Sequence, residues 1–184
     1  MEDIEEINKL IAVWKSEKTN IVIGIDGCSQ AGKSYLTKEL LLRNKKNIGI
    51  SLDKFLLPKE IRIKKMIEAV DYLKFYENSW YDLSRIIKEI NNVKKNHEII
   101  FIDGVFLFDS KIFKQISFDK MIFLSPSKNL LKKRRDAYLA GMSSEKIVTS
   151  YKIIFGIFDQ AWVEYEKIYK PEQCSNIVAK INLL

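Results

Sequence analysis

The chain has 184 residues, enough for one domain with a buried core, and its apolar content of 47% against 30% charged is that of a globular protein rather than a fibrous one. Two cysteines, Cys28 and Cys174, exclude a disulfide framework, and no apolar run approaches bilayer length. A net charge of +7 with no aromatic–basic RNA motif and no zinc spacing reads as a lysine-rich surface, so neither nucleic acid nor a membrane is expected as a partner. The acidic start, Met1-Glu2-Asp3-Ile4-Glu5-Glu6, is unlike a secretory leader, and a reduced, cytoplasmic setting is expected.

In chain order, Ile4, Ile7, Ile11 and Trp14 fall at helical spacing, which predicts an amphipathic helix within 1–18. Ile21-Val22-Ile23-Gly24-Ile25-Asp26 reads as a buried strand, followed by a helix from near Gly32 to about Arg43. Residues 47–52 read as a second strand. Ile63, Met66, Ile67 and Val70 mark one helix. Leu83, Ile86, Ile87 and Ile90 mark another, capped by Asp82. Strands are expected at 98–103, Lys120–Leu124 and 177–181. A basic helix Lys128–Ala140 and a longer helix carrying Ile147, Tyr151, Ile154, Phe158, Trp162 and Tyr165 lie between the last two strands, with Trp162 and Tyr165 expected in the core. Apolar strands alternating with helices imply an α/β fold with a parallel sheet covered on both faces.

Gly27-Cys28-Ser29-Gln30-Ala31-Gly32-Lys33-Ser34 satisfies G-x-x-x-x-G-K-[ST] between a strand and a helix, the pattern and context of a P-loop. Such a loop turns its backbone N–H groups inward around phosphate, and the following helix adds its N-terminal dipole. Lys33 is expected to reach the β- and γ-phosphates of ATP and Ser34 to ligate Mg²⁺. Asp103, closing a strand, is the expected carboxylate of the same metal site, although a strand-end aspartate by itself is as often a turn former. Cys28 precedes a helix N-terminus near Lys33, surroundings expected to lower its thiol pKa. A GTPase-type N-K-x-D motif is absent, since Asn44-Lys45 runs into Lys46-Asn47.

Beyond the P-loop, three further blocks resemble the uridine kinase-like branch of small-molecule P-loop kinases: Ile50-Ser51-Leu52-Asp53-Lys54-Phe55-Leu56, Phe101-Ile102-Asp103-Gly104-Val105-Phe106 and Arg135-Asp136-Ala137-Tyr138-Leu139-Ala140-Gly141. The resemblance covers nearly the whole chain after about Thr19. It implies a single P-loop NTPase domain over 1–184, a three-layer α/β/α sandwich whose mostly parallel sheet has about five strands, with a helical lid over 128–145. It also implies a kinase that passes the γ-phosphate of ATP to a hydroxyl of a small molecule, a nucleoside first; pantothenate, nicotinamide riboside or a sugar are the alternatives. A nucleotide-binding regulator without turnover is the rival of another class, and an oligomer is compatible with the sequence. Asp53 matches the aspartate that takes the acceptor's proton, where its residues alone favour the start of a loop. In Lys132-Lys133-Arg134-Arg135 the lid cations are expected to be Arg135 first and Lys132 second, three apart on one helix face. The segment from Phe75 to Asp82 matches the acceptor region, with Phe55, Tyr76, Glu77 and Trp80 as candidate contacts, although Trp80 could equally anchor a loop to the core. The chain departs from the pattern at Leu56, where the family has Tyr, at Asp103 in place of Glu, at Ala140 and Met142 in place of lid arginines, and in the short stretch between Asp82 and Glu98.

Overall fold

A computed structural model of the chain describes residues 4–180. Five strands, β1 Ile21–Gly27, β2 Asn47–Ser51, β3 Ile99–Asp103, β4 Lys120–Leu124 and β5 Ile177–Ala179, form one sheet of order β2-β3-β1-β4-β5. Every pairing is parallel. Helices cover both faces, so β1 and β3 are buried along their whole length, and their continuous apolar sequences follow from that. Ile181, expected to end the last strand, lies outside the described residues, as do residues 1–3 of the N-terminal segment.

The helices are α1 Ile4–Glu17, α2 Lys33–Leu42, α3 Lys59–Ile67, α4 Tyr72–Ser79, α5 Leu83–Lys94, α6 Ser110–Ile116, α7 Lys128–Ala140, α8 Glu145–Tyr169 and α9 Pro171–Cys174. Helix α1 buries Ile7, Ile11 and Trp14, the spacing that marked it. Three aspartates and a serine fix helix starts by accepting backbone N–H bonds: Asp71 from Lys74, Asp82 from Arg85, Asp109 from Lys111 and Ile112, and Ser127 from Leu130. No helix among the described residues is long and apolar enough to cross a membrane.

Two elements depart from the sequence expectation. Helix α3 buries none of its residues; it ends at Ile67, and both Ile67 and Val70 are exposed. Its apolar spacing therefore does not mark a core face. The aromatic segment before Asp82 is the helix α4 rather than a loop, and its Phe75 and Tyr76 are buried.

Chain reversal places the functional edge. From β1 the chain crosses by α2 to β2 at the sheet margin, whereas from β3 it crosses by α6 to β4 on the other side of β1. Ligands of open α/β sheets bind at the carboxyl edge beside such a reversal. The register sets Asp103 opposite both Ile25 and Ser51, at that edge. Phe106, just beyond it, holds a left-handed φ of 61°, costly for a bulky residue. It is the hub of an aromatic cluster whose other rings, Tyr76, Phe158, Trp162 and Tyr165, have centroids 4.9–5.5 Å away. The hub ties α4 and α8 to the end of β3.

Candidate active site

The loop from Gly27 to Ser34 leaves β1 and enters α2. Gly27 and Gly32 adopt φ of 152° and 100°, conformations that side chains rarely take. A Cβ at Gly27 would also come within 2.9 Å of the Leu124 carbonyl oxygen. The Lys33 ammonium donates to the carbonyls of Gly27 and Cys28, each at 2.9 Å, and so lies across the loop's own mouth. Burial lowers its pKa, opposed by the negative charge of Asp26, Asp53 and Asp103.

Beneath the loop three hydroxyls converge on one carboxylate. Ser34 Oγ and Ser51 Oγ donate to Asp103 Oδ1 at 3.2 and 3.1 Å, and Thr37 Oγ1 to Oδ2 at 3.4 Å. Burial raises the Asp103 pKa, while the Ser51 and Ser34 hydroxyls and Lys33 pull it back. Ser34 and Asp103, singled out separately in the sequence, are thus in contact. Asp53 lies in a 3-10 turn, Leu52–Phe55, immediately after β2; it is exposed and faces the same cleft.

The cleft has a volume of about 910 Å³. The P-loop residues Ser29, Gln30, Gly32, Lys33 and Ser34 form its floor, α7 and the first half of α8 its roof through Tyr138, Tyr151, Phe155 and Phe158, and α3 and α4 its far wall. Tyr76 and Trp80, two of the candidate acceptor contacts, stand on that wall. Phe55 and Glu77 do not: Phe55 packs under Arg85, 5.6 Å from the guanidinium, and Glu77 accepts a 2.7 Å bond from the Tyr169 hydroxyl.

The lid cations differ from expectation. Arg135 makes a bidentate pair with Asp159 of α8 at 2.6 Å and lies over the Phe155 ring, and Lys132 is exposed; neither lines the cleft. Arg134, between them in the run, lines the cleft instead. Its Nη1 donates to the carbonyls of Gln30 and Ala31 at 3.1 and 2.8 Å, directly over Gly32. Three-residue spacing identifies side chains on one face but not which face meets the P-loop.

Cys28 also differs. Its side chain is buried, and burial pushes the thiol up to about 11, outweighing the nearby Lys33 and Arg135. The helix terminus does not activate it. Behind the loop, Asp26 is wholly buried, accepting from the Gly27 N–H at 2.8 Å and from the Tyr165 hydroxyl, which in turn accepts the Phe108 N–H at 2.8 Å. Burial raises its carboxyl to about 6. Nothing in the sequence beyond an aspartate inside an apolar strand signalled this pair.

No family model matches the chain, and no curated protein matches it in sequence. Among solved structures, a possible uridine kinase from Bacillus stearothermophilus superposes with a TM-score of 0.59 at 15% identity, over 94% of this chain and 98% of that one. Thymidylate kinase from Candida albicans matches with a TM-score of 0.47 at 12% identity, over 89% of this chain and 83% of that one. The first of these carries the argument: the chain has the three-layer P-loop fold, and the expected resemblance is met at the level of fold.

Proposed function

We propose that this chain is an ATP-dependent phosphotransferase, a single P-loop domain that passes a phosphoryl group to a hydroxyl of a small molecule, with a ring-bearing acceptor of nucleoside type first among the candidates. One observation carries the reading: the P-loop with its Ser34–Asp103 contact at 3.2 Å and the Asp53 carboxylate open onto one cleft. A protein that only held nucleotide would need the first of these and not the second.

The donor set fits Mg²⁺. A hydroxyl and a carboxylate in contact are hard oxygen ligands, and among the described residues no cluster of three His, Cys, Asp or Glu side chains offers a metal cage independent of nucleotide. Ser34 and Asp103 would hold the ion, directly or through water, and when bound it supplies positive charge against the phosphate oxygens. Lys33 is placed to exchange its two backbone carbonyls for phosphate oxygens. Arg134 braces the loop from above. Asp53 orients the acceptor hydroxyl and takes its proton. The aromatic roof excludes water, which would otherwise compete as acceptor. The far wall, with Trp80 and Tyr76, suits a planar ring.

The test is acceptor-dependent ADP release over a panel of hydroxyl compounds, repeated with Asp53→Asn. Turnover should fall by roughly 10²–10⁴-fold while ATP affinity holds, the usual effect of losing a positioned base. Unchanged turnover would make Asp53 a turn residue; lost ATP binding would move it into the metal site. The competing reading, a regulator that binds nucleotide without turnover, draws on Ala140 and Met142 at the lid and on Arg135 being held by Asp159. Nucleotide binding with no ADP release for any acceptor selects it.

A further inference from the structure

Helix α3 is tied to the fold only lightly: none of its side chains is fully buried, and Met66 alone packs, half-buried, against the core. Four of its residues, Lys59, Arg62, Ile63 and Met66, nevertheless line the cleft. They fall at i, i+3, i+4 and i+7, one continuous helix face. The face has two halves, two cations followed by two apolar residues. Its neighbours on the wall are Trp80 and Tyr76.

From this stripe we infer that the acceptor carries a negatively charged group, a carboxylate or a phosphate ester, bound by Lys59 and Arg62. The inference rests on the phosphotransferase reading above and specifies its second substrate. Three observations support it. First, the cations are not neutralised: among the described residues no carboxylate forms an ion pair with either, and the one acidic residue lining the cleft is Asp53. Glu60, beside them in sequence, is not part of the wall. Second, Arg62 is preorganised. Its Nε donates to the Leu57 carbonyl at 2.8 Å and its guanidinium lies 4.7 Å from the centre of the Trp80 ring. The planar fork is therefore held in place, which lowers the entropy lost when it grips a carboxylate or phosphate. Third, Lys59 is the first residue of α3, where the helix dipole disfavours a cation. An anion bound there would relieve the conflict.

The P-loop cations do not account for the same anion, because Arg134 donates to the Gln30 and Ala31 carbonyls and Lys33, on the phosphotransferase reading, is taken by the phosphates of ATP. An acceptor with an anionic end at α3, a ring over Trp80 and a hydroxyl toward Asp53 uses the whole cleft.

The experiment uses matched acceptor pairs that differ in one anionic group. Orotidine against uridine, nicotinic acid riboside against nicotinamide riboside and pantothenate against pantothenol test the carboxylate. Uridine 3′-monophosphate against uridine tests the phosphate ester, leaving the 5′ hydroxyl free. Each is titrated calorimetrically onto the full chain with its P-loop saturated by a non-hydrolysable ATP analogue and Mg²⁺, and each is assayed for ADP release with ATP. At least one anionic member should bind or turn over roughly 10–100-fold better than its neutral partner, the range for a charge-assisted bond. Arg62→Gln and Lys59→Gln should each shrink the ratio between the anionic member and its neutral partner, whatever they do to the neutral partner itself. Arg62→Lys should restore part of that ratio. A purely structural Arg62 would weaken both members of a pair alike, which overturns the inference. So does preference for the neutral member of every pair, or failure of every anionic compound to bind. ADP release with a neutral acceptor under those outcomes leaves the phosphotransferase reading standing; selective binding of an anionic member with no ADP release for any acceptor keeps the anion site but removes the phosphotransferase reading, and with it the identification of the anion as an acceptor.

Discussion

Replacing Asp26 with asparagine should make the protein more stable near neutral pH, although it removes a buried hydrogen bond. The Asp26 carboxyl is raised to about 6 from an ordinary 3.8, chiefly by burial. The unfolded chain therefore releases this proton before the folded one does. Stability from this group is fully present below about pH 4 and is lost as pH rises through about 6. A shift of about two pH units corresponds to about 3 kcal/mol, of which about 2 kcal/mol falls between roughly pH 4.5 and 7.5. Asparagine keeps an acceptor for the Gly27 N–H but cannot accept the Tyr165 proton as well as a carboxylate does, at a cost of about 1 kcal/mol. The variant should thus gain about 2 kcal/mol over wild type at about pH 7.5 and roughly nothing at about pH 4.5. Urea unfolding of both proteins across that range, followed by tryptophan fluorescence, reads the difference directly. If the two stability profiles run parallel, the carboxyl does not titrate with folding and its burial is not what perturbs it.

Lys33→Ala should abolish phosphoryl transfer in a protein that melts normally; near-wild-type turnover would remove the P-loop from the chemistry. Arg134→Gln should weaken ATP binding by roughly tenfold, having lost two bonds to the loop carbonyls, whereas Arg135→Gln should lower the melting temperature with a smaller effect on ATP affinity. Iodoacetamide should label exposed Cys174 well before Cys28, whose thiol is buried and raised to about 11; mass spectrometry showing Cys28 labelled first would contradict that environment.

The sequence made local and strongly patterned features legible. Strand β4 and helix α7 appear with the expected bounds because Leu124 and Ser127 punctuate clear apolar and helical runs. The P-loop, its strand and its helix follow from one motif in context. Short helices were not legible: α4 and α6 are eight and seven residues long, and their hydrophobic residues give too few turns for a period to show. Their capping aspartates, Asp71 and Asp109, were the available signal. Around the site, residue types were easier to read than directions. Arg134 and Arg135 are adjacent and chemically identical, and only the packing of α7 on α8 decides that one meets the P-loop and the other Asp159. Cys28 was misjudged because the sequence shows Lys33 close to it but not that its side chain turns into the core, where burial outweighs that charge. The α3 stripe is periodic for a cleft rather than a core, and periodicity alone does not distinguish the two.

The central position of β1 has a consequence for how the chain acquires its structure. Its partners are β3 and β4, so everything between Gly27 and Ile99 must be synthesised before β1 has any strand to pair with, and β5 closes the sheet only near the end of the described chain. Such non-local parallel pairing is slow and leaves an apolar strand exposed in the meantime. Asp26 sits within that segment as a charge that can remain hydrated until Tyr165 arrives from α8 to take its place in the interior. A nascent chain stopped before α8 would therefore hold a sheet whose central strand carries an unsealed carboxylate, and a cleft with its floor in place but without the part of the roof that α8 supplies.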